Sequence, residues 1–434
     1  MAGSSPGVYL AVCIGFANIL ALPAGKPFTN LTIFTDRGSS AFGAMTQRLR
    51  EYGRPREVLL GAASLCFDHE VIVVSPILKR VVYPWLANSG YLRRRADGGA
   101  FCVLTYHGVL PAGYEVGDLQ QDGSLVSVEN LRAQLQLLKE CYHVVSPDEV
   151  RDWVVDGKEL PERAVLLTCD DGLRNVLTDM TPILQEEGVS CLFFVLGASA
   201  AQNSQRLWYE ELYLLLLAAP AGNYILDGLG DGQGGELGMN VELQDRAQRR
   251  SAWWNLVKRL SQHDQPARQT FIERSRLRFG LPDRWNAERT SSEAQRRRFG
   301  LLNRSELRQL VDQGMSVGSH TLNHPMLSQQ TSELAWKEIS ESRTSLEDAI
   351  GIPVWALAYP FGDTGSVTTR EMLMAEQAGF QCAFMNVGGG FGASLPVFAL
   401  PRVHVAADMS LAEFEAHLSG FHRDFRSRLS GATP

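Results

Sequence analysis

The sequence predicts an α/β fold built on a parallel sheet or a β/α barrel. From Phe101 onward, short apolar runs of β type alternate with segments of helical periodicity, a pattern typical of parallel strands joined by helices. Polar or turn-forming residues follow several of these runs, and the carboxyl ends of parallel strands share one rim. With 434 residues, the chain is long enough for one large domain with insertions or for two domains.

Apolar runs and helix-ending glycines place the elements in order. Predicted strands cover 101–106, 164–169, 190–196, 315–318, 354–359, 381–386 and 397–405. Predicted helices cover 128–140, 176–187, 305–313, 332–350, 369–378 and about 411–418. Ser305 is the expected N-cap of the third of these helices.

A stretch from about 201 to about 300 interrupts this alternation. It holds a glycine-rich segment, 227–238, followed by charged helical sequence rich in Arg and Gln. We therefore expect a largely helical insertion within a domain that spans 77–430. Residues 1–76 form an N-terminal segment to which the sequence assigns no role, and a helix is expected from 77 to Arg95.

Charge and cysteine content exclude several classes of function. A net charge of −7 argues against nucleic acid or polyphosphate as a partner, but it is compatible with a neutral or cationic sugar polymer. The seven cysteines include no C-x-x-C pair, so they predict neither a cysteine zinc cluster nor a disulfide framework.

The apolar run 8–22 has the length of a signal-peptide core, but no basic residue precedes it. It is also too short to span a bilayer comfortably, so no stable transmembrane span is expected. We interpret the run as a buried strand or helix. The missing signal features favour the cytoplasm over the periplasm without deciding between them.

Two short segments carry the residues of a candidate metal site. The first ends a predicted strand with Asp170-Asp171-Gly172, and the second contains His320 and His324. One carboxylate and two imidazoles give three protein ligands, the number that a catalytic zinc site uses while it leaves a fourth position to water. The remaining carboxylate is then free to act as a base on that water.

Local geometry gives each pair both a functional and a structural interpretation. Neighbouring residues that leave a strand point in different directions, so one aspartate can face a metal while the other faces water. A four-residue spacing can place both histidines on one helix face, and Pro325 is expected to hold His324 in extended geometry. Adjacent acids can instead simply form a turn. The occurrence of both pairs at strand ends of one domain favours the site.

Three further strand ends bring candidate groups to the same rim. They are His107, the turn Pro360-Phe361-Gly362-Asp363, and the pair Arg402 and His404. A sugar pocket needs aromatic surfaces, and the candidates for these surfaces are Trp208, Tyr209, Trp355 and Tyr359. Trp208 and Tyr209 open the insertion, so they either cap the rim or anchor the insertion to the barrel.

These motifs resemble the polysaccharide deacetylase family, also described as the NodB homology or carbohydrate esterase family 4 group. Besides the two metal-site segments, the matching stretches are Tyr106-His107-Gly108-Val109, Ala358-Tyr359-Pro360-Phe361-Gly362 and Leu400-Pro401-Arg402-Val403-His404. The resemblance covers roughly 101–421 without the insertion, with five motifs in the family's order. It implies a distorted (β/α) barrel that binds a divalent metal ion, usually Zn²⁺, and hydrolyses N-acetyl groups of amino sugars.

The resemblance also implies roles for single residues. Asp171, His320 and His324 would hold the metal, and Asp170 would be the general base. The backbone N–H of Phe361 would stabilise the oxyanion, with Tyr359 and Pro360 beside the substrate.

A histidine would protonate the leaving amine, and His107 and His404 compete for this role. We prefer His107, because it directly follows a strand and resembles the acid of exported biofilm-polymer deacetylases.

Three departures from the family pattern concern the site. Cys169 stands where Phe is usual and is expected to pack inward as a small apolar residue. Phe361 replaces a usual Tyr, which leaves its backbone donor intact. The Arg that commonly precedes the proline motif is absent, so either Arg402 takes its place beside the base or the base is held differently.

The sequence thus predicts a metal-dependent N-deacetylase acting on an N-acetylated polysaccharide, such as an exopolysaccharide, or on an oligosaccharide or lipid-linked precursor. One alternative keeps the metal site but places a small cyclic amide or imide in it. Another is a non-catalytic sugar-binding protein on the same scaffold. The sequence leaves the polymer, the acetylated position and the oligomeric state open.

Overall fold

The computed structural model describes residues 78–96, 101–116, 122–201, 206–227, 238–286, 291–387 and 396–430. The chain divides into two units, 1–73 and 74–434, and every described residue belongs to the second. The apolar run 8–22 and the predicted N-terminal segment lie outside the described residues. Among the described helices, none has both the length and the apolar character that a membrane span needs.

Eight strand segments follow a single parallel path, with β2 alongside. In chain order the strands of this sheet are β1 Cys102–Tyr106, β2 His143–Val145, β3 Ala164–Cys169, β4 Leu192–Val195, β7 Ser316–Ser319, β8 Ala356–Ala358, β9 Cys382–Met385, β10 Leu400–Pro401 and β11 Val403–His404. The path runs β10-β9-β8-β7-β4-β3-β1-β11, and β2 pairs with the start of β3. A separate antiparallel hairpin consists of β5 Asn223–Leu226 and β6 Met239–Glu242.

The sheet nearly closes into a barrel because its two edge strands are consecutive in the chain. β10 pairs with β9, β11 pairs with β1, and only Arg402 lies between β10 and β11. The predicted strand 397–405 is therefore wrong in detail: a 3₁₀ turn, Val397–Ala399, precedes two short segments that hydrogen-bond to different neighbours. The predicted α/β barrel is confirmed.

Helices cover the outside of the sheet and build the insertion. They are α1 Tyr83–Asn88, α2 Tyr91–Arg95, α3 Val128–Cys141, α4 Pro147–Asp156, α5 Thr181–Glu186, α6 Gly197–Ala201, α7 Trp208–Ala218, α8 Arg246–Leu260, α9 Gln265–Arg278, α10 Glu293–Phe299, α11 Arg304–Asp312, α12 Ser332–Ile350, α13 Thr369–Gln377, α14 Leu411–Leu418 and α15 Phe421–Ser430. A π-helical turn, Leu78–Val82, leads into α1, and another, Val176–Met180, leads into α5.

Two predicted helix boundaries are wrong. Asn303, not Ser305, is the N-cap of α11, because its side chain accepts hydrogen bonds from the N–H groups of Ser305 and Glu306. The expected helix from 77 to Arg95 is broken at Ser89 and Gly90, where Gly90 has a φ of 69° that ends the first segment.

Strand alternation divides the core into an outer layer and a barrel interior. In β3, for example, Val165, Leu167 and Cys169 belong to the large cluster under the helices, whereas Ala164 and Leu166 belong to the interior cluster. The Cys169 side chain therefore packs away from the site, and burial raises the pKa of its thiol.

The insertion has its own hydrophobic cluster and is largely helical, as expected. Helices α7, α8 and α9 and the β5–β6 hairpin supply its buried residues, among them Trp208, Leu212, Tyr213, Trp253, Leu256 and Phe271. α7 begins shortly after β4 and α6, so the insertion leaves the barrel at the carboxyl end of its strands.

Candidate metal centre

Strand alternation also determines which polar residues reach the site. In β3, every second side chain faces the barrel interior, and this series continues from Leu166 through Thr168 to Asp170. In the last strand the corresponding series runs from Leu400 through Arg402 to His404. Thr168 accepts a hydrogen bond from Arg402 Nη1 at 3.2 Å. Buried polar groups thus replace apolar ones at the carboxyl end of the barrel.

Asp171 lies between the two histidines. Its Oδ1 is 3.6 Å from His320 Nε2 and 3.6 Å from His324 Nε2. All three residues are buried, and their potential ligand atoms lie within 4.8 Å of one another. Asp171 reaches this position with a φ of 74°, a left-handed conformation that turns its side chain away from the row of Asp170.

The two histidines are not on a helix face, which corrects the expectation drawn from their spacing. Residues 320–326 form a loop in which Thr321 and His324 have φ values of 63° and 54°. His324 is therefore left-handed and not extended before Pro325. The Glu338 carboxylate of α12 holds the loop by accepting hydrogen bonds from the N–H groups of Leu322 and Asn323.

The donor set fits a divalent metal ion. His320 Nδ1 is 2.8 Å from the carbonyl oxygen of Ala358, which fixes the ring and leaves Nε2 to act as a ligand. Burial, and then the neighbouring His320, lowers the pKa of His324 to about 3, so its imidazole is neutral, as a ligand must be.

Asp171 Oδ1 is buried with no hydrogen-bond partner among the described residues. Ligand atoms about 2.0–2.1 Å from a tetrahedral zinc ion lie roughly 3.4 Å apart, close to the separations seen here.

Asp170 is held by Arg402 in a bidentate ion pair. Arg402 Nη1 and Nη2 each donate to one carboxylate oxygen at 2.7 Å, and both residues are buried. Burial raises the pKa of Asp170, but the charge of Arg402, followed by that of His320, outweighs it and lowers the value to about 2. Asp170 is consequently ionised near neutral pH.

The two candidate acid histidines lie side by side. The ring centroids of His107 and His404 are 5.0 Å apart, and neither Nδ1 atom has a hydrogen-bond partner among the described residues. Burial lowers the pKa of each imidazole to about 4. His107 faces the cavity that also contains Asp170 and His320, whereas His404 faces a second, larger cavity.

Tyr209 connects the insertion to the candidate metal ligands. Its hydroxyl donates to Asp171 Oδ2 at 3.0 Å, and its ring centroid is 5.2 Å from that of His324. Burial, and then the charge of Asp171, raises the pKa of Tyr209, so the hydroxyl remains a donor. Asp171 thus offers one oxygen to the histidines while Tyr209 holds the other.

Trp208 does not face the site, which corrects its assignment as a substrate-binding residue. Its side chain is buried within the insertion core, and its indole N–H donates to the carbonyl oxygen of His324 at 3.1 Å. Arg268 lies over the indole ring and donates to the carbonyl oxygen of Asn323 at 2.9 Å. These contacts fasten the histidine loop to the insertion.

Trp355 likewise does not offer an aromatic surface to the site. It precedes β8 and belongs to the interior cluster at the strand's amino end, away from His320. Tyr359 does line the cavity that contains His107, Asp170 and His320, which we call the metal-side cavity. Its hydroxyl donates a hydrogen bond to the carbonyl oxygen of Phe398.

Phe361 also lines the metal-side cavity and has a φ of 62°, with its ring 5.1 Å from that of His324. Pro360 is buried beside it.

Two cavities share Asp171 as a lining residue. The metal-side cavity, of about 190 Å³, is lined by His107, Ser124, Asp170, Asp171, Tyr209, Trp253, Trp254, Val257, His320, His324, Tyr359, Phe361 and Asn386. The insertion-side cavity, of about 360 Å³, is lined by Gly123, Ser124, Asp171, Leu173, Tyr209, Glu210, Tyr213, Trp253, Trp254 and His404.

Sequence reasoning missed Glu210, Trp253, Trp254 and Asn386, because their proximity to the ligands depends on how the insertion and β9 pack. Glu210 follows Tyr209 directly, which was the one signal in the sequence.

Comparison with known proteins gives one family and several relatives. Residues 157–220 and 244–383, a little under half of the chain, match the sequence model for polysaccharide deacetylases. A Bacillus subtilis (strain 168) protein, YxkH, whose name describes it as a polysaccharide deacetylase, is 25% identical over 117 residues. That alignment spans 27% of this chain and 41% of the relative. The predicted resemblance to this family is thereby confirmed.

Two solved structures are also similar. The Streptococcus pyogenes deacetylase PplD, in complex with acetate, has a TM-score of 0.46 at 15% identity and covers 74% of this chain and 98% of its own. IcaB from Ammonifex degensii has a TM-score of 0.45 at 17% identity and covers 74% of this chain and 98% of its own.

Proposed function

We propose that this member of the polysaccharide deacetylase family is a metal-dependent hydrolase that removes N-acetyl groups from an amino-sugar polysaccharide. One observation carries the proposal: adjacent aspartates are separated into a potential metal ligand, Asp171, and an ionised carboxylate, Asp170, held by Arg402. When bound by Asp171, His320 and His324, a divalent cation such as Zn²⁺ would polarise the amide carbonyl and lower the pKa of water.

Asp170 is the general base in this proposal. It is ionised, its two oxygens are fixed by Arg402, and it lies within 4.0 Å of His320 Nε2. It accepts a proton as the water oxygen bonds to the acetamide carbon. Asp170 can act only near the ligands, because the Arg402 pair removes its freedom to rotate.

The backbone N–H of Phe361 is the oxyanion donor in this proposal. The left-handed φ of Phe361 places this residue in a tight turn on the wall of the metal-side cavity. A backbone donor that is already oriented stabilises developing negative charge without reorganisation.

His107 delivers the proton to the leaving nitrogen, and the C–N bond then breaks to give acetate and a free amine. Its imidazole is neutral near pH 7, so it must first receive a proton, which the attacking water supplies by way of Asp170. His404 would serve less directly, since it lines the other cavity.

Acetate release from an N-acetylglucosamine oligosaccharide tests the proposal. We expect activity in the zinc-loaded chain, loss of activity on chelation, and a decrease of about 10²–10⁴-fold in Asp170→Asn, the range for removal of a general base. Asp171→Ala should be inactive at limiting zinc. Glu341→Gln, an exposed change on α12, should match the parent chain.

Undiminished acetate release in both aspartate variants would overturn the proposal. Hydrolysis of a cyclic imide by a chain that leaves the oligosaccharide intact would instead identify the small-amide alternative.

A further inference from the structure

The insertion-side cavity is built differently from the metal-side cavity. It is the larger of the two, at about 360 Å³ against about 190 Å³. Apart from Asp171 and His404, its chemically distinctive lining comes from the insertion, in Glu210, Tyr213, Trp253 and Trp254. Among the described residues that line it, none is Lys or Arg.

Glu210 brings an unsatisfied acceptor to this cavity. The residue is 5% exposed, and its Oε1 accepts a hydrogen bond from Arg298 Nη1 at 2.7 Å. Its Oε2 is buried with no hydrogen-bond partner among the described residues. Buried polar atoms are nearly always paired, so the unpaired oxygen of this cavity-lining residue indicates a missing donor.

The charge around Glu210 points to a cationic donor. Arg298 also donates through Nε to Asp122 at 2.8 Å, so two buried carboxylates share one guanidinium. When both are ionised, the three side chains carry one excess negative charge. Burial raises the pKa of Glu210 to about 7, although the charge of Arg298 opposes this shift.

Trp254 supplies a flat apolar surface between the two cavities. It lines both of them, and it is 45% exposed. Its ring centroid is 4.6 Å from that of Trp253, whose indole N–H is fixed on the carbonyl oxygen of Tyr209. A pyranose ring or an ammonium group can pack on such a surface.

We propose that the insertion-side cavity is a subsite for a hexosamine with a free amino group, next to the acetylated unit at the metal centre. The ammonium group donates to Glu210 Oε2, and the sugar ring packs on Trp254. This inference rests on the proposed function and narrows its substrate: a chain that is already partly deacetylated binds better than a fully acetylated one. Each product amine then helps to hold the chain for reaction at the next unit.

Binding of two trisaccharides tests the subsite, with calorimetry as the measurement. The zinc-loaded full chain carries Asp170→Asn throughout, so that the acetylated probe is not appreciably hydrolysed during the titration. The probes are a trimer of β-1,4-linked glucosamine and its fully N-acetylated counterpart. We expect Glu210→Gln to weaken binding of the amine trimer at least tenfold and that of the acetylated trimer less than twofold. Trp254→Ala should weaken both. Glu211→Gln, the next residue of α7, and Trp336→Ala, a tryptophan 40% exposed on α12, are the matched controls.

Equal loss for the two trimers in Glu210→Gln, or no loss for either, would overturn the proposal. The first result would mean that Glu210 contacts a hydroxyl of a neutral sugar. Because Glu210→Gln could disturb the pairing with Arg298, a crystal structure of the unmodified chain with the amine trimer provides a second test. It should place the amine nitrogen within hydrogen-bond distance of Glu210 Oε2, and its absence from that position would count against the subsite.

The calorimetric titration and the crystal structure report on binding and not on turnover. A Glu210-dependent preference in the titration, with no acetate release by the parent chain, would keep the subsite and lose the proposed function.

Discussion

Asp170 and Asp171 differ in environment because the backbone turns between them. Asp170 continues the interior row of β3 and meets Arg402, whereas the left-handed Asp171 swings towards His320 and His324. The turn continues at Gly172, whose φ is 69° and where an added Cβ would lie 2.7 Å from Val195. Two identical side chains thereby receive opposite tasks in the proposed mechanism.

Replacing Arg402 with Met should destabilise the protein by about 3–5 kcal/mol, the usual cost of leaving a buried charge without its partner. Asp170 would lose both of its 2.7 Å donors. Urea denaturation measures the change. Arg151→Met on the exposed face of α4 should stay within about 0.5 kcal/mol of the parent chain. Equal denaturation midpoints for Arg402→Met and the parent would contradict the pairing.

Tyr209→Phe should lower zinc affinity by about 10–100-fold, the effect typical of losing a group that orients a metal ligand. The variant keeps the ring beside His324 and removes only the donor to Asp171 Oδ2. Competition with a chromophoric chelator measures the affinity. Tyr224→Phe, which removes a hydroxyl bonded to the carbonyl oxygen of Pro220, is the matched control. Identical affinities in the two variants would refute the role of Tyr209.

At the residue scale, what the sequence could reveal depended on distance along the chain. Asp170, Asp171, His320 and His324 occur in two compact motifs, so their residue types and spacing were enough to single them out as candidates. The contact of Tyr209 with Asp171 joins residues 38 positions apart and depends on how α7 packs, which no local pattern encodes. Trp208 was misassigned for the same reason.

At the element scale, β7 positions the first histidine through a glycine. A Cβ on Gly318 would lie 2.6 Å from the ring of Phe194 and 3.1 Å from the carbonyl oxygen of Ala356, so β7 can fit between β4 and β8 only without a side chain there. The strand ends at Ser319, directly before His320. The packing of one strand thus sets the position of a candidate ligand.

Gly318→Ala should destabilise the protein by about 1–3 kcal/mol, the usual cost of overpacking a core. It should also weaken zinc binding, because β7 must shift and take His320 with it. Thermal unfolding of the metal-free chain and a chelator titration check the two effects separately. Ser316→Ala, two residues earlier on the same strand face, should leave both close to the parent values.

Periodicity predicted the long elements well and the irregular ones poorly. α12 begins and ends as predicted, because Thr331 caps its start and Gly351, with a φ of 79°, ends it. The kink in the last strand follows from barrel closure, in which one segment pairs with β9 and the next with β1. Such a change of partner is a property of the whole sheet and leaves no local signal.

At the scale of the whole molecule, the helices before the barrel meet those after it. The hydroxyl of Tyr83 in α1 is 2.6 Å from His422 Nδ1 in α15. The His422 ring stacks on the ring of His417 in α14, with 4.0 Å between the ring centroids. Lys79 and Arg426 contribute positive charge to this group. Burial lowers the pKa of His417 to about 3 and that of His422 to about 4.

Stability should therefore fall on acidification from about pH 6.5 towards pH 4. Below the ordinary histidine pKa, these histidines bind protons in the unfolded chain but not in the folded chain. The stabilisation present above pH 6.5 is therefore lost at up to roughly 1.4 kcal/mol per pH unit and per histidine. Urea denaturation at pH 7 and pH 5 measures it. The double variant His417→Phe and His422→Phe should flatten part of this slope, and the exposed His143→Phe should not. An unchanged slope in the double variant would refute the assignment.

The most direct test of the metal centre is a crystal structure of the zinc-loaded chain with anomalous diffraction at the zinc edge. We expect one zinc ion about 2.0–2.2 Å from Asp171 Oδ1, His320 Nε2 and His324 Nε2, with Asp170 still paired to Arg402. A zinc ion bound elsewhere, or Asp170 drawn off Arg402 to become a ligand, would contradict the separation of the two aspartates into metal ligand and base.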